Sequence, residues 1–223
     1  ERLQYLELLS QKFPSPAQVS TEIINLNAIL GLPKGTEHFI SDIHGEYRLF
    51  LHILKNASGS VRRKIFQCFS EEEMSTAEMD ELATLIYYPE EKLALLKEAH
   101  GSLNQVWYTT TLLHLVQVCR KATSKYTRSK VRKALPQDFA YIMEELLNPQ
   151  DQHNKHTYYD NIIRSVIDTG MADTLITELC TFIKRMAVDT LHIVGDIFDR
   201  GPHADVILDN LMGHHSVDIQ GGN

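Results

Sequence analysis

Three short apolar runs stand far apart in the chain, and each empties into polar residues: "FISDIHG" at 39–45, "HIVGDIFDRG" at 192–201 and "VDIQGGN" at 217–223. Short runs rich in Ile, Val and Phe, bounded by Gly, Asp and Ser, read as strands buried in a sheet. Between the first and the second, residues 58–187 carry one helical pattern after another with hardly a strand signal. Near the end, the strand at 192, the helical "ADVILDNLMG" at 204–213 and the strand at 217 make a βαβ unit, which is right-handed and has parallel strands. The expected fold is therefore α/β, with residues 58–187 a large all-helical insertion into the layer. Three parts follow: an N-terminal helical segment at 1–36, a partial α/β domain made of 37–57 plus 188–223, and the insertion at 58–187.

The helical signals are local and specific. Residues 3–12 and 17–30 read as helices, the second with Val19, Ile23, Leu26 and Leu30 at helical spacing before the stop signals Gly31 and Pro33. After the first strand, "EYRLFLHILKNASG" places Tyr47, Phe50, Leu51 and Leu54 on one face. Ser75 and Glu78 have capping-box spacing, and Pro89 suits the first turn of the next helix. Helices at 102–120, 137–147, 158–168 and 171–186 complete the insertion.

Composition removes several functions. The net charge of −7 disfavours binding nucleic acid through a basic surface. Cys68, Cys119 and Cys180 are far apart and odd in number, which argues for a reducing compartment and against a disulfide framework. No apolar run approaches the roughly 20 residues needed to span a bilayer, and no signal peptide is visible, so a cytoplasmic protein is expected. The chain begins at Glu1 and stops at Asn223, and it is read as part of a longer protein.

In parallel α/β sheets, ligands gather beyond the carboxyl ends of the strands. The first strand delivers Asp42 and His44 there, two residues apart and so pointing the same way in extended chain. The second delivers Asp196, freed by Gly195, with Asp199 and Arg200 one turn later. The third delivers Asn223, a neutral oxygen donor brought close by Gly221 and Gly222. Carboxylate, imidazole and amide oxygen suit a borderline divalent ion such as manganese, iron or zinc. A carboxylate with donors on both sides, as Asp196 would have, can bridge two ions, and two-metal sites hold ions about 3.5–4 Å apart around an in-line phosphoryl displacement. Two aspartates neutralise only half the charge of two divalent ions, and the remainder attracts a phosphate. Arg200 adds a planar bidentate phosphate donor. Singly, an aspartate after a strand is more often a cap or turn residue; D-x-H, G-D-x-x-D-R-G and G-N in this order, each at a strand end, is a far more specific signal. Asp199 is read as a supporting residue that orients a ligand or Arg200.

These residues resemble the metallophosphoesterase superfamily. At a closer level, "EIINLNAILGLPKGTEHFISDIHGEYRLF", "LIYYPEEKL", "SKYTRSKVRKALP", "FAYIMEELL" and the stretch from "LHIVGDIFDRGP" to "HSVDIQGGN" resemble the class III fructose-1,6-bisphosphatases of Firmicutes and related bacteria, along essentially the whole chain. The resemblance implies the N-terminal part of a metallophosphoesterase-type layered fold, in a bacterial enzyme of gluconeogenesis. It implies hydrolysis of fructose 1,6-bisphosphate to fructose 6-phosphate and phosphate by a metal-bridging hydroxide, manganese dependence and regulation by small metabolites. Asp42 and His44 match ligands of the first metal, Asp196 the bridging ligand, Asn223 a ligand of the second metal, and Asp199 with Arg200 the supporting and phosphate-contacting positions in catalysis. The family motif continues past the asparagine with a histidine, and further histidine ligands come later; the expectation is that these 223 residues alone bind metal weakly and are inactive. The alternatives are another metallophosphoesterase acting on phosphoprotein or a nucleotide, and a non-enzymatic regulatory or assembly module. Oligomeric state is left open, a homo-oligomer included.

Other residues have blander readings. His214 and His215 follow a helix and read as surface cations at its C-terminal end rather than ligands. His153 and His156 read as solvated, and His38, His192, His52 and His114 as structural. Trp107 and Tyr108 read as core or interface. The one basic run, residues 124–133, reads as a solvated helix face, with the second phosphate of a bisphosphate, an anionic effector or a subunit contact as functional options.

Overall fold

The computed structural model describes residues 2–148 and 156–222. Three strands, β1 (Glu37–Ile40), β2 (Thr190–Val194) and β3 (Val217–Gln220), form a parallel sheet in the order β1-β2-β3. The register pairs Ile40 with Ile193 and Val194 with Gln220, so all three strands run out on the same side. Between β1 and β2 lie α3 (Tyr47–Asn56), α4 (Ser60–Cys68), α5 (Thr76–Tyr87), α6 (Pro89–His100), α7 (Gln105–Thr123), α8 (Arg128–Ala134), α9 (Ala140–Leu147), α10 (His156–Asp168) and α11 (Ala172–Ala187); α12 (Ala204–Met212) joins β2 to β3. Before β1 come α1 (Arg2–Lys12) and α2 (Pro16–Leu30).

Two apolar clusters hold these elements. One face of the sheet contributes Ile40, Leu191 and Ile193 and packs on Phe50 of α3 and on Ile207 and Leu211 of α12, with Ile43 and Ile197 from the loops that leave β1 and β2. Tyr47, Leu51 and Leu54 lie against this cluster, the helical face that their spacing predicts. The second cluster is entirely helical. Its centre is α7 against α11, with Leu112, Leu115 and Cys119 meeting residues such as Leu175, Leu179 and Ile183, all fully buried. At roughly 1.5–3 kcal/mol per buried aliphatic side chain, this burial is the chief favourable term holding these helices together.

Local signals in the sequence explain most boundaries. Ser75 Oγ accepts from Glu78 N while the Glu78 carboxylate accepts from Ser75 N at 2.8 Å, a complete capping box at the start of α5. Pro89 opens α6, and Gly213 follows α12 as its C-cap. Helix α4 had no recognised signal: it starts after Gly59, which has φ 78°, with no side-chain cap. The stripe in α2 forms without burial, for neither α1 nor α2 buries any residue, and Leu30 is 83% exposed.

The two clusters are joined by polar contacts. Lys125 Nζ donates to Thr36 Oγ1 at 2.6 Å and Lys130 pairs with Asp189, both just before strands, while Tyr126 Oη donates to Met186 O at 3.2 Å within the helical cluster. The basic run is thus largely engaged within the molecule, and Arg132 also pairs with Glu144 at 2.5 Å. Cys119 and Cys180 are buried, and all three cysteines are free. Among the described residues no helix is long and apolar enough to cross a membrane.

Candidate metal centre

The loops that leave β1 and β2 are bound to each other through the backbone. His44 N donates to Asp196 O and Gly45 N to Ile197 O, both at 2.8 Å, and Gly201 N returns a bond to His44 O at 2.5 Å. The backbone is forced into the left-handed region at Asp42 (φ 56°), His44 (φ 49°), Asp196 (φ 53°) and Asp199 (φ 84°). L-residues reach this region at a cost, and a cluster of such residues marks segments whose side chains are aimed for a purpose other than stability. The third exit leans on the same place: a Cβ on Gly222 would stand 2.6 Å from Asp196 N, so only glycine lets the chain after β3 pass this close.

The outcome is a convergence of donors. One ligand atom each from Asp42, His44 and Asp196 lies within 4.8 Å of the others. His44 Nε2 is 3.7 Å from Asp42 Oδ1. Two donors about 2.1 Å from a common ion stand at most about 4.2 Å apart, so a small inward movement of side chains brings all three into ligand range. Asp42 is exposed and free to make it. Two carboxylates this close repel each other unless a cation lies between them, so the donor set fits a divalent ion.

The other imidazole nitrogen is taken. His44 Nδ1 is 2.5 Å from Asp199 Oδ1, and this hydrogen bond raises the His44 pKa above its ordinary value, against partial burial and the positive charge of Arg200. The arrangement fixes the ring with Nε2 toward Asp42, as outer carboxylates do for ligating histidines. Arg200 Nε is 3.8 Å from Asp199 Oδ2, so one carboxylate touches both His44 and Arg200, whose guanidinium is largely exposed. Asn223 lies outside the described residues, as does His153.

The profile of the Firmicute fructose-1,6-bisphosphatase family matches residues 4–223. The chain belongs to this family. Among curated relatives named fructose-1,6-bisphosphatase class 3, that of Clostridium tetani is 58% identical over 222 residues, that of Alkaliphilus metalliredigens 56% over 222 and that of Bacteroides thetaiotaomicron 55% over 222. Each alignment takes in 99% of this chain and 33% of the relative. The chain therefore spans about a third of the length of the curated fructose-1,6-bisphosphatases it matches. No solved structure matches it.

Several residues stand differently from what their spacing suggests. His214 and His215 follow α12 near the surface, as expected, but their lowered pKa values oppose a cationic state. His214 is partly buried and His215 is exposed, desolvation lowers both pKa values, and His215 Nε2 donates to Val188 O at 3.1 Å. The basic run lies beside the starts of β1 and β2, because Lys125 reaches Thr36 and Lys130 reaches Asp189, whereas Asp42 and Asp196 follow the opposite ends. Tyr47 was legible only as a core-facing residue, and His203 gave no signal beyond following D-R-G-P. They meet edge to face with centroids 4.7 Å apart, beside the paired loops of the site.

Proposed function

We propose that the chain is the first, metal- and phosphate-binding part of a metal-dependent phosphomonoester hydrolase that converts fructose 1,6-bisphosphate to fructose 6-phosphate and inorganic phosphate. The observation that carries this reading is the convergence of Asp42, His44 and Asp196, with Asp199 joining His44 to Arg200. Asp42, His44 and Asp196, with Asn223, would hold the divalent ions. Divalent ions bound here, manganese by preference, would supply charge neutralisation and an activated water. Arg200 takes the reacting phosphate, and Asp199 keeps His44 and Arg200 in place. Water adds to phosphorus and the sugar oxygen leaves, without a covalent phospho-enzyme. The class 3 names of the relatives support the choice of sugar, which the donor chemistry alone does not reach.

In this reading residues 37–57 and 188–223 belong to a metallophosphoesterase-type layer, 58–187 is an insertion into it and 1–36 is a separate helical segment. The remaining histidine ligands and the general acid belong to polypeptide beyond these 223 residues, in a bacterial, cytoplasmic, gluconeogenic enzyme regulated by small metabolites.

The deciding experiment measures phosphate release by the full-length protein with manganese on fructose 1,6-bisphosphate, p-nitrophenyl phosphate and a phosphopeptide. Preference for the sugar is expected; preference for the phosphopeptide would move the chain to a protein phosphatase role. Asp196→Asn should abolish hydrolysis and leave the oligomeric state unchanged, and full activity in that variant would favour a regulatory or assembly module. Robust manganese-dependent hydrolysis by the 223-residue chain alone would show that no later ligands are needed.

A further inference from the structure

A bisphosphate brings two phosphates to the rim, and Arg200 accounts for one. The basic run at 125–133 is at the wrong end of the sheet for the other. It touches Thr36 and Asp189, immediately before β1 and β2, and strands of four and five residues at about 3.3 Å each separate it by roughly 13–16 Å from the side where Asp42 and Asp196 stand.

A different cation group lies at the correct end. Arg48, the second residue of α3, donates from Nε to Tyr47 Oη at 3.3 Å, and its guanidinium sits 6.0 Å from the centroid of the Tyr47 ring. His203 packs edge-on against the same ring, at an interplanar angle of 75°. Tyr47 thus holds two nitrogen-bearing side chains together. Arg48 and His203 are exposed, so neither serves the core. Neither pairs with a carboxylate among the described residues, although Glu46 and Asp205 are close in sequence. The Tyr47 hydroxyl accepts from Arg48, and among the described residues its own hydrogen has no acceptor.

The backbone limits how far this group can stand from Arg200. Gly201 N bonds His44 O, which ties the loop carrying Arg200 to the loop that leads into Tyr47. Three residues of extended chain reach at most about 11 Å, so the Cα of His203 is within that distance of the Cα of Arg200, and that of Tyr47 within it of His44. A hexose with a phosphate at each end has a comparable length.

We propose that Tyr47, Arg48 and His203 form the subsite for the second, non-reacting phosphate of a sugar bisphosphate, an inference that rests on the phosphomonoester hydrolase reading above. Arg48 presents the guanidinium fork, His203 a ring N–H and Tyr47 its hydroxyl hydrogen, while the Tyr47 ring keeps both partners in register. The subsite selects esters with two phosphates and leaves the reacting phosphate to Arg200.

The test compares substrates in the full-length manganese enzyme. The ratio of kcat/KM for fructose 1,6-bisphosphate to that for p-nitrophenyl phosphate should fall about tenfold or more in Arg48→Met, as expected for loss of a charge-assisted phosphate contact, chiefly through KM. Arg48→Lys should recover part of the ratio, and His203→Gln should lower it less. Because each variant is its own control for folding, a poorly folded protein loses both activities together and keeps its ratio. An unchanged ratio in both Arg48→Met and His203→Gln would overturn the subsite. Wild-type protein that hydrolyses p-nitrophenyl phosphate but shows no preference for the bisphosphate would overturn it too, while leaving the hydrolase reading standing; wild-type protein that hydrolyses neither ester sinks that reading and the subsite with it.

Discussion

Gly201 and His44 meet backbone to backbone: Gly201 N donates to His44 O at 2.5 Å, and a Cβ on Gly201 would stand 2.5 Å from that oxygen and 2.7 Å from Gly45 C. These contacts join the loop after β2 to the loop after β1, so the two donor sets can converge only while position 201 has no side chain. Gly201→Ala should therefore cost about 1–3 kcal/mol through forced separation of the loops. Urea denaturation measures that cost, and calorimetric titration with manganese should show weaker binding. Gly221→Ala is the control, since a Cβ there meets nothing within 4 Å, and it should leave stability unchanged.

Asp199→Asn removes the carboxylate that holds His44 Nδ1. By the effect usual for outer partners of metal ligands, manganese affinity should fall about ten- to a hundredfold. The pH dependence follows from the same contact. The Asp199 hydrogen bond raises the His44 pKa above its ordinary 6.5, and a protonated imidazole cannot ligate. Metal uptake should weaken as pH falls through the raised value, and Asp199→Asn should move this acid limb to lower pH. In the metal-free protein the sign is opposite. The imidazolium–Asp199 contact stabilises the fold fully below 6.5 and is lost as pH rises through the raised value. Titration of the His44 ring followed by NMR, with and without manganese, checks both directions.

His38, His214 and His215 form a second titrating group at the other end of the sheet. Burial lowers the pKa of each, with the neighbouring His214 adding to the effect on His38 and His215, and Arg185 adding to that on His215. Groups held neutral in the fold protonate more readily in the unfolded chain. Their contribution to stability is present above the ordinary 6.5 and declines as pH falls through the lowered values. The urea midpoint should drop below that pH, and His38→Leu should flatten the drop. His38 Nδ1 is buried without a partner among the described residues, so the leucine also relieves an unpaired polar atom.

Ser75→Ala removes one half of the capping box that starts α5 and leaves the Glu78 N–H without its side-chain acceptor. The expected loss is about 1 kcal/mol, typical of an N-cap serine. Since α5 supplies Met79, Leu82 and Ile86 to the helical cluster, the loss should appear in global unfolding rather than in local fraying.

Residues whose neighbours are close in sequence were legible. Ser75 and Glu78, Pro89, and the Phe50–Leu51–Leu54 face are set by interactions three or four residues long, and the structure carries each as its spacing predicts. The same is true of the parallel unit β2–α12–β3. Helix α4 was not legible because its start has no capping side chain and depends on the turn at Gly59. The charge state of the histidine pair at 214–215 was not legible because its partners come from the segment after α11, distant in sequence: the Val188 and Asp189 carbonyls, at 3.1 and 3.2 Å, accept from His215.

The sequence by itself determined several helix starts, α4 excepted, the strand positions and the donor types Asp42, His44 and Asp196, because periodicity, capping and strand exits act over a few bonds. Only the tertiary structure decided that these donors stand within 4.8 Å of one another, that Asp199 turns the His44 ring, and that the basic run lies at the opposite end of the strands. Those facts depend on which loops touch across well over a hundred residues of intervening chain. That contact is made by glycine backbones and carbonyl oxygens, which carry no side-chain signature for a sequence pattern to register.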